Sequence, residues 1–274
     1  MSDQGIGRRV EEGITGLLKG TGSIVKGAAD VARDAVVTTV KGVGDVGGSL
    51  TGTVGQVVGG ALNAVNEVGT GLVRTVKGVV VGIVEGVGEV ATVTVGVVSD
   101  TVRAAIKGTG AVGADASRTA AAIAEGVISA AKDTGVGLAE GAVALGRSAI
   151  SGVKEIGGDV VATASGTVSG AITGAAEVGG DVLAAIRDTA RGLVQGAGEV
   201  GADIVEVTTG AISGAVEGAK AIGIGVEDAA EAAAIGALEA AEAIGEKAVH
   251  AVTDVAAGGV GGVKNILKGK SETQ

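Results

Sequence analysis

Two positions in this chain never hold anything larger than threonine, and they recur every 22 residues. Written in blocks from Glu155, the chain reads EIGGDVVATASGTVSGAITGAA, EVGGDVLAAIRDTARGLVQGAG, EVGADIVEVTTGAISGAVEGAK. The same register runs back through AVGADASRTAAAIAEGVISAAK (111–132) and EVGTGLVRTVKGVVVGIVEGVG (67–88). It holds without insertion from Met1 to Lys264, a continuous array (1–264) of twelve units, and leaves 265–274 as a short polar C-terminal tail. Position 16 is Gly in nine units and Thr38, Ala104 or Ser148 in the others. Position 20 is Gly in nine and Ala64, Ala130 or Ala240 in the rest.

Each unit is two similar 11-residue halves, with apolar residues at positions 2, 6 and 10 of each half. Such 4-4-3 spacing is a hendecad of about 3.67 residues per turn, which suits a nearly straight or slightly right-handed helix. A strand would need period 2. On a helical wheel, Val, Ile, Leu and Ala fill one arc, most charged residues fill the opposite one, and the small residues form a stripe between them. The pattern predicts an all-α fold, either a long amphipathic hendecad-repeat helix or helical hairpins built from the twelve units. The apolar arc is represented by Val68, Leu72, Val76, Val79, Ile83 and Val87. The helix-packing stripe comprises Gly42, Gly60, Gly82, Gly86, Gly170, Gly174, Gly192, Gly196, Gly214 and Gly218.

With 54 Gly in 274 residues, an isolated helix of this sequence should not be stable, because each interior Gly costs about 1 kcal/mol relative to Ala. Something outside the helix must compensate. Small residues in register let backbones approach closely, so packing on another helix is one answer. A lipid surface covering the apolar arc is another. The chain has no Phe, Trp, Tyr, Pro or Cys, yet is 46% hydrophobic, so its apolar surface requires burial in thin, closely packed layers. The unbroken phase favours long helices. The Gly-dense junctions, such as Gly42–Gly48 and Gly196–Gly201, suit C-caps, and the acidic residue after many of them suits a helix N-terminus.

Few residues carry chemistry. His250 is the single histidine and falls on the charged arc. Carboxylates recur on the polar face as a solvated surface. GxGxxG occurs at Gly42/Gly44/Gly47, Gly108/Gly110/Gly113 and Gly196/Gly198/Gly201, but a dinucleotide site needs that turn between a strand and a helix. No catalytic, cofactor-binding or metal-ligating set is expected, and so neither an enzyme nor a small-molecule substrate. The net charge of −10 and the lack of aromatic residues exclude nucleic acid, which needs a basic footprint and stacking platforms. Charge is uneven: 1–110 holds ten basic and ten acidic residues, 111–274 eleven and twenty-one. No secretory signal follows Arg8-Arg9. The longest uncharged run, Val46–Asn66, carries six Gly and several polar residues, a poor match to a spanning helix of about 20 predominantly apolar residues. A cytoplasmic location is expected, compatible with peripheral attachment to a membrane.

The stretch Thr75-Val-Lys77-Gly-Val-Val-Val-Gly-Ile-Val-Glu85-Gly-Val resembles the 11-residue lipid-binding repeats of synucleins and, more loosely, of perilipins. The likeness lies in the hendecad rhythm and extends over nearly the whole chain. It implies amphipathic helices lying on a membrane or lipid surface. The Gly stripe points to a different partner, copies of the same chain, in a filament, sheet or tube of packed helices. The two expectations, lipid association and homo-oligomeric self-assembly, are compatible in a coat that polymerises on a membrane.

Overall fold

A computed structural model describes residues 4–20, 23–43, 46–68, 71–90, 94–111, 115–134, 137–263 and 266. Within them the chain forms twelve α-helices, one for each unit. They are α1 (Gln4–Lys19), α2 (Ile24–Val43), α3 (Val46–Val68), α4 (Leu72–Val90), α5 (Val95–Ala111) and α6 (Ala116–Thr134). After these come α7 (Leu138–Glu155), α8 (Val160–Glu177), α9 (Val182–Val200), α10 (Ile204–Ile222), α11 (Val226–Ile244) and α12 (Glu246–Gly258). The fold is all-α. Of the two geometries the repeat allows, the chain takes the broken one, and the long helix favoured by the unbroken phase does not form.

The break is written at the junctions. Gly157, Gly179, Gly201 and Gly223 all adopt positive φ, between 63° and 77°, a conformation that ends a helix at little cost only for glycine. Two residues on, Asp159, Asp181 and Asp203 cap the next helix, accepting hydrogen bonds from the amides of Ala162, Ala184 and Val205 at 2.8–3.0 Å. Glu177 ends α8 and Val182 begins α9, so a four-residue connection reverses the chain. Stop and start together occupy little more than one helical turn, so the count of 22 survives the break and the hendecad phase cannot reveal it.

Consecutive helices therefore alternate in direction, but the closest packing is with the helix two places on: α2 on α4, α6 on α8, α7 on α9, α8 on α10, α9 on α11. Odd-numbered helices form one layer and even-numbered helices a second, with an aliphatic core between them. Ile14, Ile83, Ile123, Leu145, Ile172, Ile186, Leu193 and Ile212 are its largest members, each fully buried. Ala supplies much of the remainder, and in α11 Ala229, Ala230, Ala233, Ala234 and Ala237 are completely enclosed.

Within a layer the small residues bring one backbone against the next. Gly166, Gly170 and Gly174 of α8 face Ser117, Ala121 and Glu125 of α6. Contacts rise together along both helices, so they run parallel. A Cβ built on Gly170 would lie 2.7 Å from the Cα of Ala121, with the carbonyl oxygen of Ala121 closer still. The same relation joins Gly192 to Val143, Gly214 to Ser165 and Gly236 to Arg187. In each case the partner is 49 positions earlier, five more than two whole units (214 less 165, for example). Each of α8, α9, α10 and α11 therefore advances along its axis past its predecessor in the layer by five residues, about 7.5 Å at 1.5 Å per residue. Its first turn stands clear of that neighbour.

Substituting these glycines by alanine should have opposite effects at two kinds of site. Gly170→Ala sets a methyl group against backbone that cannot rotate away and should cost about 1–3 kcal/mol. Gly59 in α3 has nothing within 4 Å of its Cβ position, so Gly59→Ala should gain up to about 1 kcal/mol of helix propensity. Urea unfolding followed by far-UV circular dichroism checks both, and midpoints moving in the same direction would contradict the packing role of the column.

Candidate functional site

Both surfaces expected to meet an outside partner are largely occupied from within. Of the apolar arc, Val76, Val79, Ile83 and Val87 are buried in the core, while Val68, the last residue of α3, and Leu72, the first of α4, are partly buried. Of the stripe, Gly60 faces Gly7, Gly82 faces Ala29 and Gly86 faces Arg33. Gly170, Gly174, Gly192, Gly196, Gly214 and Gly218 face Ala121, Glu125, Val143, Arg147, Ser165 and Ser169. The surroundings of Gly42 lie outside the described residues, as do parts of the GxGxxG matches at Gly42 and Gly108. The third match, Gly196/Gly198/Gly201, is the C-terminal end of α9, with Gly201 as its left-handed cap. His250 is exposed, 4.0 Å from Glu246. Among the described residues no group of three or more His, Cys, Asp or Glu could hold a metal, and no helix is long and apolar enough to cross a membrane.

The outer faces carry rows of ion pairs that follow the layers. Lys19 meets Glu67 at 3.6 Å, Arg33 meets Glu89 at 3.5 Å, Arg103 meets Glu155 at 3.7 Å and Arg147 meets Glu199 at 2.5 Å. Lys107 also pairs with Glu155, and Arg187 and Arg191 both reach Glu239. In every case the base is on the earlier helix and the acid two helices on. Most are half-exposed, where such pairs contribute about 0–1 kcal/mol each; their main effect is to favour one registry over others. The helical wheel placed these charges outside but gave no pairing. The signal that would have given it is the recurrence of Lys/Arg-to-Glu separations of 48 and 52 residues.

Among the described residues six large aliphatic side chains remain exposed: Val73, Val95, Ile156, Leu183, Val205 and Ile244. Val73, Val95, Leu183 and Val205 occupy first turns, the part of each helix that the axial advance carries beyond its neighbour. Val73, Ile156, Val205 and Ile244 share one edge of the array, where odd-numbered helices end and even-numbered ones begin. Two open grooves complete the surface. One, of about 590 Å³, runs over α5, α7 and α9 past Arg103, Arg147 and Arg191, each with an acidic neighbour. The other, of about 570 Å³, lies on the same edge as Val73, at the first turns of α4 and α6.

One charged cluster is half-buried and joins three helices of the even layer. Lys77 of α4 donates to Glu125 of α6 at 2.5 Å and to Glu177 of α8 at 2.9 Å. Burial pulls the Lys77 ammonium down, but hydrogen bonds to Glu125 and Glu177 outweigh it and hold its pKa above the ordinary value. Burial dominates at Glu125 and pushes its carboxyl up despite Lys77. At Glu177 burial also pulls upward, yet the bond to Lys77 prevails and the carboxyl sits below the usual range.

The two carboxylates therefore affect stability with opposite signs. Glu177, held below its unfolded value, stabilises the fold above that value, and the contribution is lost as pH falls through the lowered one. Glu125, held above its unfolded value, stabilises most below that value, and its contribution is lost as pH rises through the raised one. Glu177→Gln should lower stability at pH 7 by less than about 1 kcal/mol and by almost nothing at pH 3. Glu125→Gln should leave stability at pH 7 unchanged or raised. Denaturant midpoints at the two pH values test the pair, and equal losses from both variants at pH 7 would refute the assignment.

No protein-family model matches this chain, and no curated protein matches it.

Proposed function

We propose that this is a non-enzymatic structural protein that associates peripherally with a lipid surface along one edge of its helical array. The observation that carries this reading is the edge bearing Val73, Ile156, Val205 and Ile244, each 40–45% exposed. The amphipathic helix of the hendecad reading would lie flat with its arc in lipid. In the folded array that arc is enclosed, so the helices stand end-on to the surface and contact comes from projecting first and last turns. Lipid then takes up aliphatic tips, and the core stays closed. Transfer of one such partly exposed side chain is worth roughly 1 kcal/mol, so the edge acts through several of them together.

A second copy of the chain is the other occupant considered. It is favoured by Gly16 of α1, which is exposed and has nothing within 4 Å of its Cβ position, whereas Gly60, Gly82, Gly170, Gly192, Gly214 and Gly236 at the same position of their units lie on a neighbouring backbone. Packing of a further helix there would repeat the contact made at every step within the chain.

Flotation with phosphatidylcholine vesicles separates the two. The chain should rise with the vesicles, and a variant carrying Val73→Ser, Ile156→Ser, Val205→Ser and Ile244→Ser, with unchanged helical circular dichroism, should bind about a thousandfold more weakly. A chain that stays with the soluble fraction and elutes as an oligomer would replace the lipid reading with self-assembly.

A further inference from the structure

The groove of about 570 Å³ at the first turns of α4 and α6 holds two arginines whose placement works against the local electrostatics. Arg74 and Arg118 occupy the same position of their units, three residues into α4 and α6. The N-terminus of a helix carries a partial positive charge, so a cation in the first turn is unfavourable there and an anion favourable. Later helices obey that rule at the same position, with Glu140, Glu206 and Asp228 in their first turns. Neither Arg74 nor Arg118 has an ion-pair partner among the described residues, whereas Arg33, Arg103, Arg147, Arg187 and Arg191 are all paired.

A second feature of the groove also points to a missing acceptor. Thr119 lines it, is only 2% exposed, and its hydroxyl has no hydrogen-bond partner. The residue before α4 is Gly71, at φ +82°, which has no side chain with which to cap the helix. Asp115 is the one acid among the described residues that line the groove, and its carboxylate accepts the amide of Arg118 at 2.8 Å. Two arginines against one aspartate leave the groove with an excess of positive charge in an otherwise acidic chain.

We propose that this groove binds a phosphate group. Arginine matches phosphate oxygens with paired N–H donors, and uncapped amides at a helix N-terminus add donors and a favourable field. The bound anion would replace, for α4, the carboxylate that Asp159, Asp181 and Asp203 supply to later helices. Ile24, Leu72 and Val73 form the apolar side of the groove, which suits a phosphate that carries a hydrocarbon chain. Lipid headgroup and free phosphate share the chemistry that the arginines recognise. The site shares Val73 with the edge proposed above, but phosphate recognition by its arginines does not depend on that association.

The test is a ¹H–¹⁵N NMR titration of the full chain with inorganic phosphate at constant ionic strength, paired with flotation on phosphatidylcholine vesicles containing phosphatidic acid. Saturable shifts should appear at the amides of Leu72–Arg74 and Arg118–Thr119. Binding should weaken at least tenfold in the Arg74→Gln/Arg118→Gln double variant and persist in Arg147→Gln, whose guanidinium lies in the other groove. Saturation by inorganic phosphate establishes free phosphate as sufficient. Arginine-dependent binding seen only with phosphatidic acid establishes the lipid headgroup, and either result supports the site. Absence of binding to both probes, or equal binding by the double variant, would overturn it. The four-serine edge variant retains both arginines, and failure of the unaltered chain to float with plain phosphatidylcholine vesicles, with a preserved phosphate response, counts against the edge alone.

Discussion

Glycine set against the backbone of a parallel neighbour is the contact on which the whole array depends. At Gly166, Gly170, Gly192, Gly214 and Gly236 a Cβ would overlap main-chain atoms of the helix two places back. The Cα–H that stands in its place points at a carbonyl, an arrangement worth about 0.5–1 kcal/mol net. The larger gain is proximity. A chain without aromatic residues buries little area per side chain, and only when helices lie this close do Val, Ala and Ile meet across the gap at interior density. The helix propensity lost to glycine is thus offset by packing that no other residue would permit.

From that contact the remaining features follow in order. Parallel packing of alternate helices requires the intervening helix to lie in a second layer, which sets one aliphatic core between two sheets of helices. The axial advance places several glutamates near the lysine or arginine of the preceding helix in their layer, as in Arg147–Glu199 and Arg187–Glu239. It also uncovers the first turns, and so explains why Val73 and Val205, apolar and at a position inside the repeat, nevertheless face solvent.

The helix type, the arc and the packing stripe were legible because each has a periodicity. The wheel set Val79, Ile83 and Val87 on an arc meant for lipid or a partner and Gly82, Gly170 and Gly214 on a packing stripe; in the fold the three aliphatic residues lie in the core and the three glycines lie on a neighbouring backbone. What the wheel could not supply was the partner, because a stripe of small residues is equally suited to a helix of the same chain or of another. The reversal between units was visible in Gly179 and Asp181 as a cap followed by a cap, but a short turn that preserves the 22-residue count leaves the phase intact and argues for continuity. The groove residues were the least legible. Arg74 and Arg118 lie on the polar side of the wheel with every other charge, and only the alignment of two helix starts brings them together.

The glycine columns occur in two registers. In α8 on α6 and α10 on α8 the offset is 49 residues, but Gly78, Gly82 and Gly86 of α4 meet Val25, Ala29 and Arg33 of α2, and Gly60 of α3 meets Gly7 of α1, at an offset of 53. The difference is four residues, one turn, or about 6 Å along the axis. An interface made of a small residue every fourth position can be seated at either offset with the same kind of contact. Such an array has a mechanical character that a core of interlocking large side chains would not: loaded along the helix axes, a layer can yield by sliding from one seat to the next, lengthening by a turn while its helices stay folded.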